Sequence, residues 1–106
     1  MRQEDAAQCF TELGHATRLS IYRLLVESGD LGLPVRDIQN KLKIPGSTLS
    51  HHIARLVKVR LIKQQRLGRE LYCQPLPSRL EHLINYLQVK CSNSSSANIN
   101  KSVTTN

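Results

Sequence analysis

Four residues, Lys43-Ile44-Pro45-Gly46, interrupt two short amphipathic stretches, and this break constrains the fold more than any other feature of the chain. Before it, Val35, Ile38 and Leu42 make a narrow apolar stripe at helical spacing, and Pro34 suits the first turn of that helix. After it, a helix beginning near Ser47 carries Leu49, Ile53, Leu56 and Val57 at i, i+4, i+7 and i+8. A tight turn joins the two. Ser47, Thr48, Ser50, His51, His52 and Arg55 fall off the apolar stripe, where small and polar side chains are free to touch a ligand. The adjacent His51 and His52 point about 100 degrees apart on a helix, a poor arrangement for shared metal ligation, so one is expected to face outward and the other to be partly packed.

The spacing changes after Arg60. Leu61-Ile62 and Leu71-Tyr72-Cys73 flank Lys63 to Glu70, and Gly68 is placed for a hairpin turn, so two short strands with a basic tip are expected. Pro75 and Pro77 end the second strand, and Pro77 or Ser78 opens a last helix with Leu80, Leu83, Ile84, Leu87 and Cys91 on one face. Upstream, Ala6, Phe10 and Leu13 mark a first helix stopped at Gly14. Thr17 is placed to cap a second helix bearing Ile21, Leu24 and Leu25, which ends at Ser28-Gly29-Asp30, and residues 29–33 read as a loop. Residues 92–106 are almost all Ser, Asn and Thr, too polar to offset ordering entropy, and are expected to be a disordered tail. The chain therefore reads as one domain over residues 1–91, mainly α with a β-hairpin wing (α+β).

Charge is unevenly placed. The formal net charge is +7, from 15 Lys and Arg against 8 Asp and Glu, and no acid occurs between Asp37 and Glu70. That interval holds Lys41, Lys43, Arg55, Lys58, Arg60, Lys63, Arg66 and Arg69, a field attractive to phosphate. No apolar run approaches the roughly eighteen residues of a membrane span, and acids interrupt the first helix, so a cytoplasmic protein is expected with no membrane partner. Cys9, Cys73 and Cys91 form an odd set without C-x-x-C spacing, which fits reduced thiols better than a disulfide framework or a zinc finger.

Helix, turn, helix and hairpin in this order make a winged helix-turn-helix over residues 34 to 59 and the strands that follow. Ser47, Thr48, Ser50 and His51 at the start of the second helix can meet base edges in a major groove. Arg55 and the hairpin's Arg66 and Arg69 can meet the backbone or an adjacent minor groove. A protein-interaction or RNA-binding module of the same fold is the alternative from another class. No glycine-rich phosphate loop, zinc-protease pattern or paired carboxylates beside a histidine point to an enzyme.

Three blocks, Leu13-Gly14-His15-Ala16-Thr17-Arg18-Leu19, Ser47-Thr48-Leu49-Ser50-His51-His52-Ile53 with Leu56, and Gly68-Arg69-Glu70-Leu71-Tyr72, resemble in order and spacing those of the ArsR/SmtB repressors of metal and metalloid resistance. The resemblance spans roughly residues 6 to 91. It implies a homodimeric repressor of operator DNA with an inverted repeat, paired through its first and last helices. The apolar stripes of those helices also exceed what so small a monomer covers.

Many members of that family release DNA on binding a metal or metalloid. Where arsenic sensors often carry Cys-Val-Cys, this chain has Pro34 and Arg36 at the thiol positions, and His82 is its only histidine after His52, which disfavours a zinc site in the last helix. Thiols remain. Cys73 and Cys91, at the two ends of the last helix, would be roughly 20 Å apart within one chain at about 1.5 Å per residue, but could meet across an antiparallel dimer. Two sulfurs suit a trivalent arsenical such as methylarsenite, while arsenite or antimonite would want a third, for which Cys9 is the candidate. This inducer, with no obligatory cofactor, is the expectation. A redox or persulfide switch at the same thiols is its rival.

Overall fold

A computed structural model describes residues 1–93, with side chains as far as Gln88. Its elements run α1 (Gln3–Leu13), α2 (Ala16–Glu27), β1 (Leu33–Pro34), α3 (Val35–Leu42), α4 (Gly46–Lys58), β2 (Ile62–Leu67), β3 (Glu70–Pro75) and α5 (Pro77–Asn93). The expected domain boundary at Cys91 falls inside α5; the expected tail beyond Asn93 and the Cys91 side chain lie outside what the structure describes.

One core joins these elements. Ile21 and Leu25 of α2, Ile38 of α3, Leu49, Ile53 and Leu56 of α4, Leu61 and Ile62 entering β2, and Leu83 of α5 are buried together. The α4 stripe is thus inward, with Val57 only partly covered. At about 25 cal/mol per Å² of apolar surface removed from water, each such side chain contributes roughly 1.5–3 kcal/mol, which fixes the register of α3 and α4 against the sheet.

The hairpin closes as its turn chemistry requires. Leu67 pairs with Glu70, leaving Gly68 and Arg69 as a two-residue turn, and Gly68 has φ 64° while Arg69 stays at negative φ. Glycine first in the loop with positive φ is the type II′ pattern, whose twist matches the strands it joins.

Three details differ from expectation. His15, not Thr17, caps α2: its Nδ1 accepts from the Thr17 N–H at 3.2 Å, with Ala16 already helical. Residues 29–33 are not wholly loop and Pro34 is not yet helical, because Leu33 and Pro34 form an edge strand opposite Cys73 and Tyr72. Proline is accepted there since an edge position needs no inward N–H. The sheet order is therefore β1-β3-β2, with β3 central. Finally, Cys73 lies within that central strand, opposite Leu33 and Gln64, rather than at the start of the last helix. A lone leucine between Gly32 and Pro34 gave no sign of the third strand.

Gly32 makes that third strand possible. It holds φ 74°, and a Cβ there would lie 1.8 Å from the Cys73 carbonyl oxygen, so the backbones meet closer than any side chain allows. Gly32→Ala is expected to lower unfolding free energy by at least about 3 kcal/mol, from strain plus displacement of β1. Urea denaturation followed by circular dichroism measures it; an unchanged midpoint would show that β1 is dispensable.

Candidate nucleic-acid interface

α3 ends in a left-handed residue, Lys43 at φ 55°, and the Ile44 N–H reaches back to the Gln39 carbonyl at 3.3 Å. This closure turns the chain within three residues and sets α4 across α3. α4 ends in the same way: Arg60 takes φ 64° and the Leu61 N–H bonds the Leu56 carbonyl at 3.1 Å. Pro45 precedes α4 without a side-chain cap, so the first amides of the helix keep their hydrogen-bonding capacity for an anion.

On α4 the division expected from sequence holds. Ser47, Thr48, Ser50, His51 and Arg55 are exposed, and His52 is buried. Ala54 and Lys58 are likewise exposed; Lys58 belongs to the basic interval already noted, and Ala54 was not singled out by residue type. Arg66 and Arg69 are exposed on the wing, which is tied to α3 beside its turn by an ion pair between Arg36 and Glu70. The carboxylate of Glu70, which closes the acid-free interval, is thus occupied by its own cation.

Beneath α4 lies a polar cluster. The Glu12 carboxylate on α1 accepts from Arg55 Nε of α4 at 3.0 Å and lies 3.1 Å from Arg18 Nε of α2 as an ion pair. Arg18 Nε also donates to the Glu12 carbonyl at 2.9 Å, and its Nη1 lies 3.0 Å from His52 Nδ1. A guanidinium has only hydrogens to offer, so His52 Nδ1 must accept and the imidazole is neutral with its proton on Nε2. Burial pushes His52 below the ordinary imidazole range, reinforced by the His15 ring, 4.8 Å away between centroids, and by Arg18. The hydrogen bond from Arg55 holds the Glu12 carboxyl below its usual range, against the cost of burial. Arg55 is therefore not a free phosphate ligand; one side of its guanidinium is committed to α1.

The thiols are situated differently. Cys9 and Cys73 are both fully buried. The Cys9 thiol donates to the Val59 carbonyl at 3.7 Å, and Cys73 Sγ accepts from Gln64 Nε2 at 3.8 Å. Burial raises both thiols, Cys73 to about 11. Among the described residues no three His, Cys, Asp or Glu side chains gather as a metal site, and no helix is long and apolar enough to cross a membrane.

Residues 13–65 match the helix-turn-helix domain family. An uncharacterised HTH-type transcriptional regulator of Methanocaldococcus jannaschii is 34% identical over 83 residues, covering 78% of this chain and 91% of that protein. An ArsR-like regulator from Rhodococcus superposes with a TM-score of 0.75 over 85% of this chain and 82% of its own, at 20% identity. The chain belongs to the helix-turn-helix transcriptional regulators, and its winged fold is that of the ArsR-like structure. The regulator is also 31% identical to the transcriptional repressor PagR of Bacillus anthracis, over 82% of this chain and 85% of that one. Two further structures share the fold: a homodimeric DNA-binding domain from Mycobacterium bovis (TM-score 0.66, 20% identity, 88% of this chain and 83% of that one), and the antimony-specific repressor AntR (TM-score 0.62, 22% identity, the same shares).

Titration of the cluster gives the regulator's stability a definite pH dependence. Unfolded, His52 takes a proton near its ordinary 6.5, whereas the folded state resists it. Stability is therefore full above that value and falls as pH drops below it. Glu12 acts in the same direction further down, because the unfolded carboxyl protonates near 4.5 before the folded one does. Thermal melts should decline in two stages on acidification, and His52→Asn, whose Oδ1 can still accept from Arg18, should remove the upper stage only. A melt that is flat between neutrality and the carboxylate range would contradict the neutral buried imidazole.

Proposed function

We propose that the regulator is a homodimeric repressor that grips an inverted-repeat operator. The observation carrying this reading is the exposed row Ser47, Thr48, Ser50 and His51 on an acid-free helix, with Arg66 and Arg69 of the wing in the same basic interval. Hydroxyls and an imidazole at the N-terminal half of α4 can approach base edges, the uncapped amides can hold a phosphate, and the wing arginines add backbone contacts. Arg55 serves by holding the helix to Glu12 as well as by its charge. PagR, named as a transcriptional repressor, supports the sign of regulation.

Pairing is supported by the outer helices. Phe10 on α1 and Ile84 and Leu87 on α5 stay exposed by 42%, 46% and 57% although they continue apolar stripes whose inner members, Ala6, Cys9 and Leu83, are buried. The Tyr86 hydroxyl donates to Gln3 Oε1 at 3.3 Å, binding α5 to α1, so the two helices offer one surface. A second copy covers such a surface most economically, and a two-fold pair matches two half-sites about one helical turn apart.

The finer expectation, a trivalent arsenical or antimonite inducer, draws its support from the antimony-specific relative of like fold. Local chemistry disfavours Cys73 as the first sulfur to capture it, since a buried thiol raised to about 11 is almost wholly protonated at neutrality. Cys9 is buried in the same manner.

Three outcomes follow. In fluorescence anisotropy, Ser47→Ala and His51→Ala should each weaken operator binding by about ten-fold while leaving random-sequence duplex unaffected. Arg66→Ala with Arg69→Ala should weaken both and lower the salt slope by about 2; equal affinity of the unaltered protein for operator and random DNA would end the reading. Leu87→Glu should give monomers by analytical ultracentrifugation and cost operator affinity at least about a hundred-fold, near 2.7 kcal/mol. Under a thiol reagent at neutral pH, Cys9 and Cys73 should stay unmodified while the unfolded chain reacts fully; rapid stoichiometric labelling of Cys73 would restore it as a capture site.

A further inference from the structure

Two depressions adjoin where the end of α2, the close of β3 and the start of α5 converge, sharing Asp30, Pro75 and Pro77. The smaller and more enclosed, of about 170 Å³, is walled by Tyr22, Val26 and Leu80, with Glu81 beside Asp30 on its lining. The larger, of about 490 Å³, is lined on the sheet side by Lys63, Gln65 and Gln74.

Gln74 is the informative residue. It is only 5% exposed and its carboxamide makes no hydrogen bond with any other described residue, although it lines the larger depression. Its amide atoms still reach water, whereas the fully buried side-chain polar atom without a partner among the described residues is the Tyr22 hydroxyl on the wall of the smaller chamber; a ligand oxygen that met the Gln74 amide would replace that water. Lys63 stands opposite Gln74 in the strand register and so projects from the same sheet face. Among the described residues Lys63, Asp30 and Glu81 form no ion pair. An unpaired cation and unpaired carboxylates thus flank one apolar chamber, in a protein where acids are scarce.

We propose that this double depression binds a free α-amino acid with an apolar side chain. The side chain occupies the chamber against Tyr22 and Leu80, the ammonium group meets Asp30 on the shared wall, and the carboxylate turns to Lys63 and accepts an N–H from Gln74. Other small molecules match less of the site. A hydrocarbon leaves Gln74 unmet, a simple anion meets two carboxylates, and a simple amine leaves both Lys63 and Gln74 without a partner. An occupant touches α2, the wing sheet and α5 together, linking the DNA-reading unit to the helix of the outer surface.

Titration calorimetry on the full chain, free of DNA, tests the site separately from operator binding. L-Leucine is expected to bind saturably, with leucinamide, N-acetyl-L-leucine and glycine each weaker by at least about ten-fold. Asp30→Asn and Lys63→Gln alter exposed residues outside the core and should leave the melting temperature unchanged. Each should weaken leucine by about ten-fold, and Asp30→Asn should do so without weakening N-acetyl-L-leucine. In ¹⁵N–¹H spectra the Gln74 side-chain amide should shift with leucine. The proposal is overturned by the absence of both saturable heat and a Gln74 shift, by equal binding of leucine and its blocked derivatives, or by variants that bind leucine as the unaltered protein does.

Discussion

A single carboxylate, that of Glu12 on α1, accepts from Arg55 of α4 and is ion-paired with Arg18 of α2. Without it, the buried Arg18 guanidinium and the neutral ring of His52 would be left with nothing to balance the charge, and the half-exposed Arg55 would lose its hold on α1. Removing one member of such a cluster costs more than its net worth, because the others are left buried and unmatched. The angle at which α4 stands to the rest of the molecule therefore depends on α1. A helix that contributes nothing to the helix-turn-helix as a sequence motif holds the second helix of that motif from behind.

This arrangement also explains how a strongly basic surface is kept compact. Acids are absent between Asp37 and Glu70, so the cations of α4 and the wing find no carboxylate within their own interval. Glu12 reaches in from α1 to Arg55, while Glu70, beside the wing turn, is taken by Arg36 of α3. Lys58, Arg66 and Arg69 remain exposed, where water screens their mutual repulsion.

Much of this was legible in the residues. The stripe Leu49, Ile53 and Leu56 gave α4 and its outward face, the change of spacing after Arg60 gave the hairpin, and Gly68 gave its turn. Strand β1 was not legible, because two residues carry no period and proline argues for a helix start; only the approach of Gly32 to the Cys73 carbonyl reveals it. The role of Glu12 was hidden for another reason. On α1 it counted only among the acids that interrupt an apolar run, and its burial depends on Arg18 and Arg55, one of them 43 residues away. Cys73 was misplaced relative to α5 because the helix begins only at the second proline, Pro77, which lets the strand continue to Pro75.

The two left-handed residues, Lys43 and Arg60, close α3 and α4 where glycine would be at ease. A side chain there costs roughly 1–2 kcal/mol of backbone energy. In exchange each places a cation at the negative end of a helix dipole. Glycine at either position would relax the chain and remove a charge from the basic interval in one step. Selection for a sturdier molecule and selection for a stickier one therefore pull these two sites in opposite directions, and a thermostable variant obtained there would hold nucleic acid less firmly.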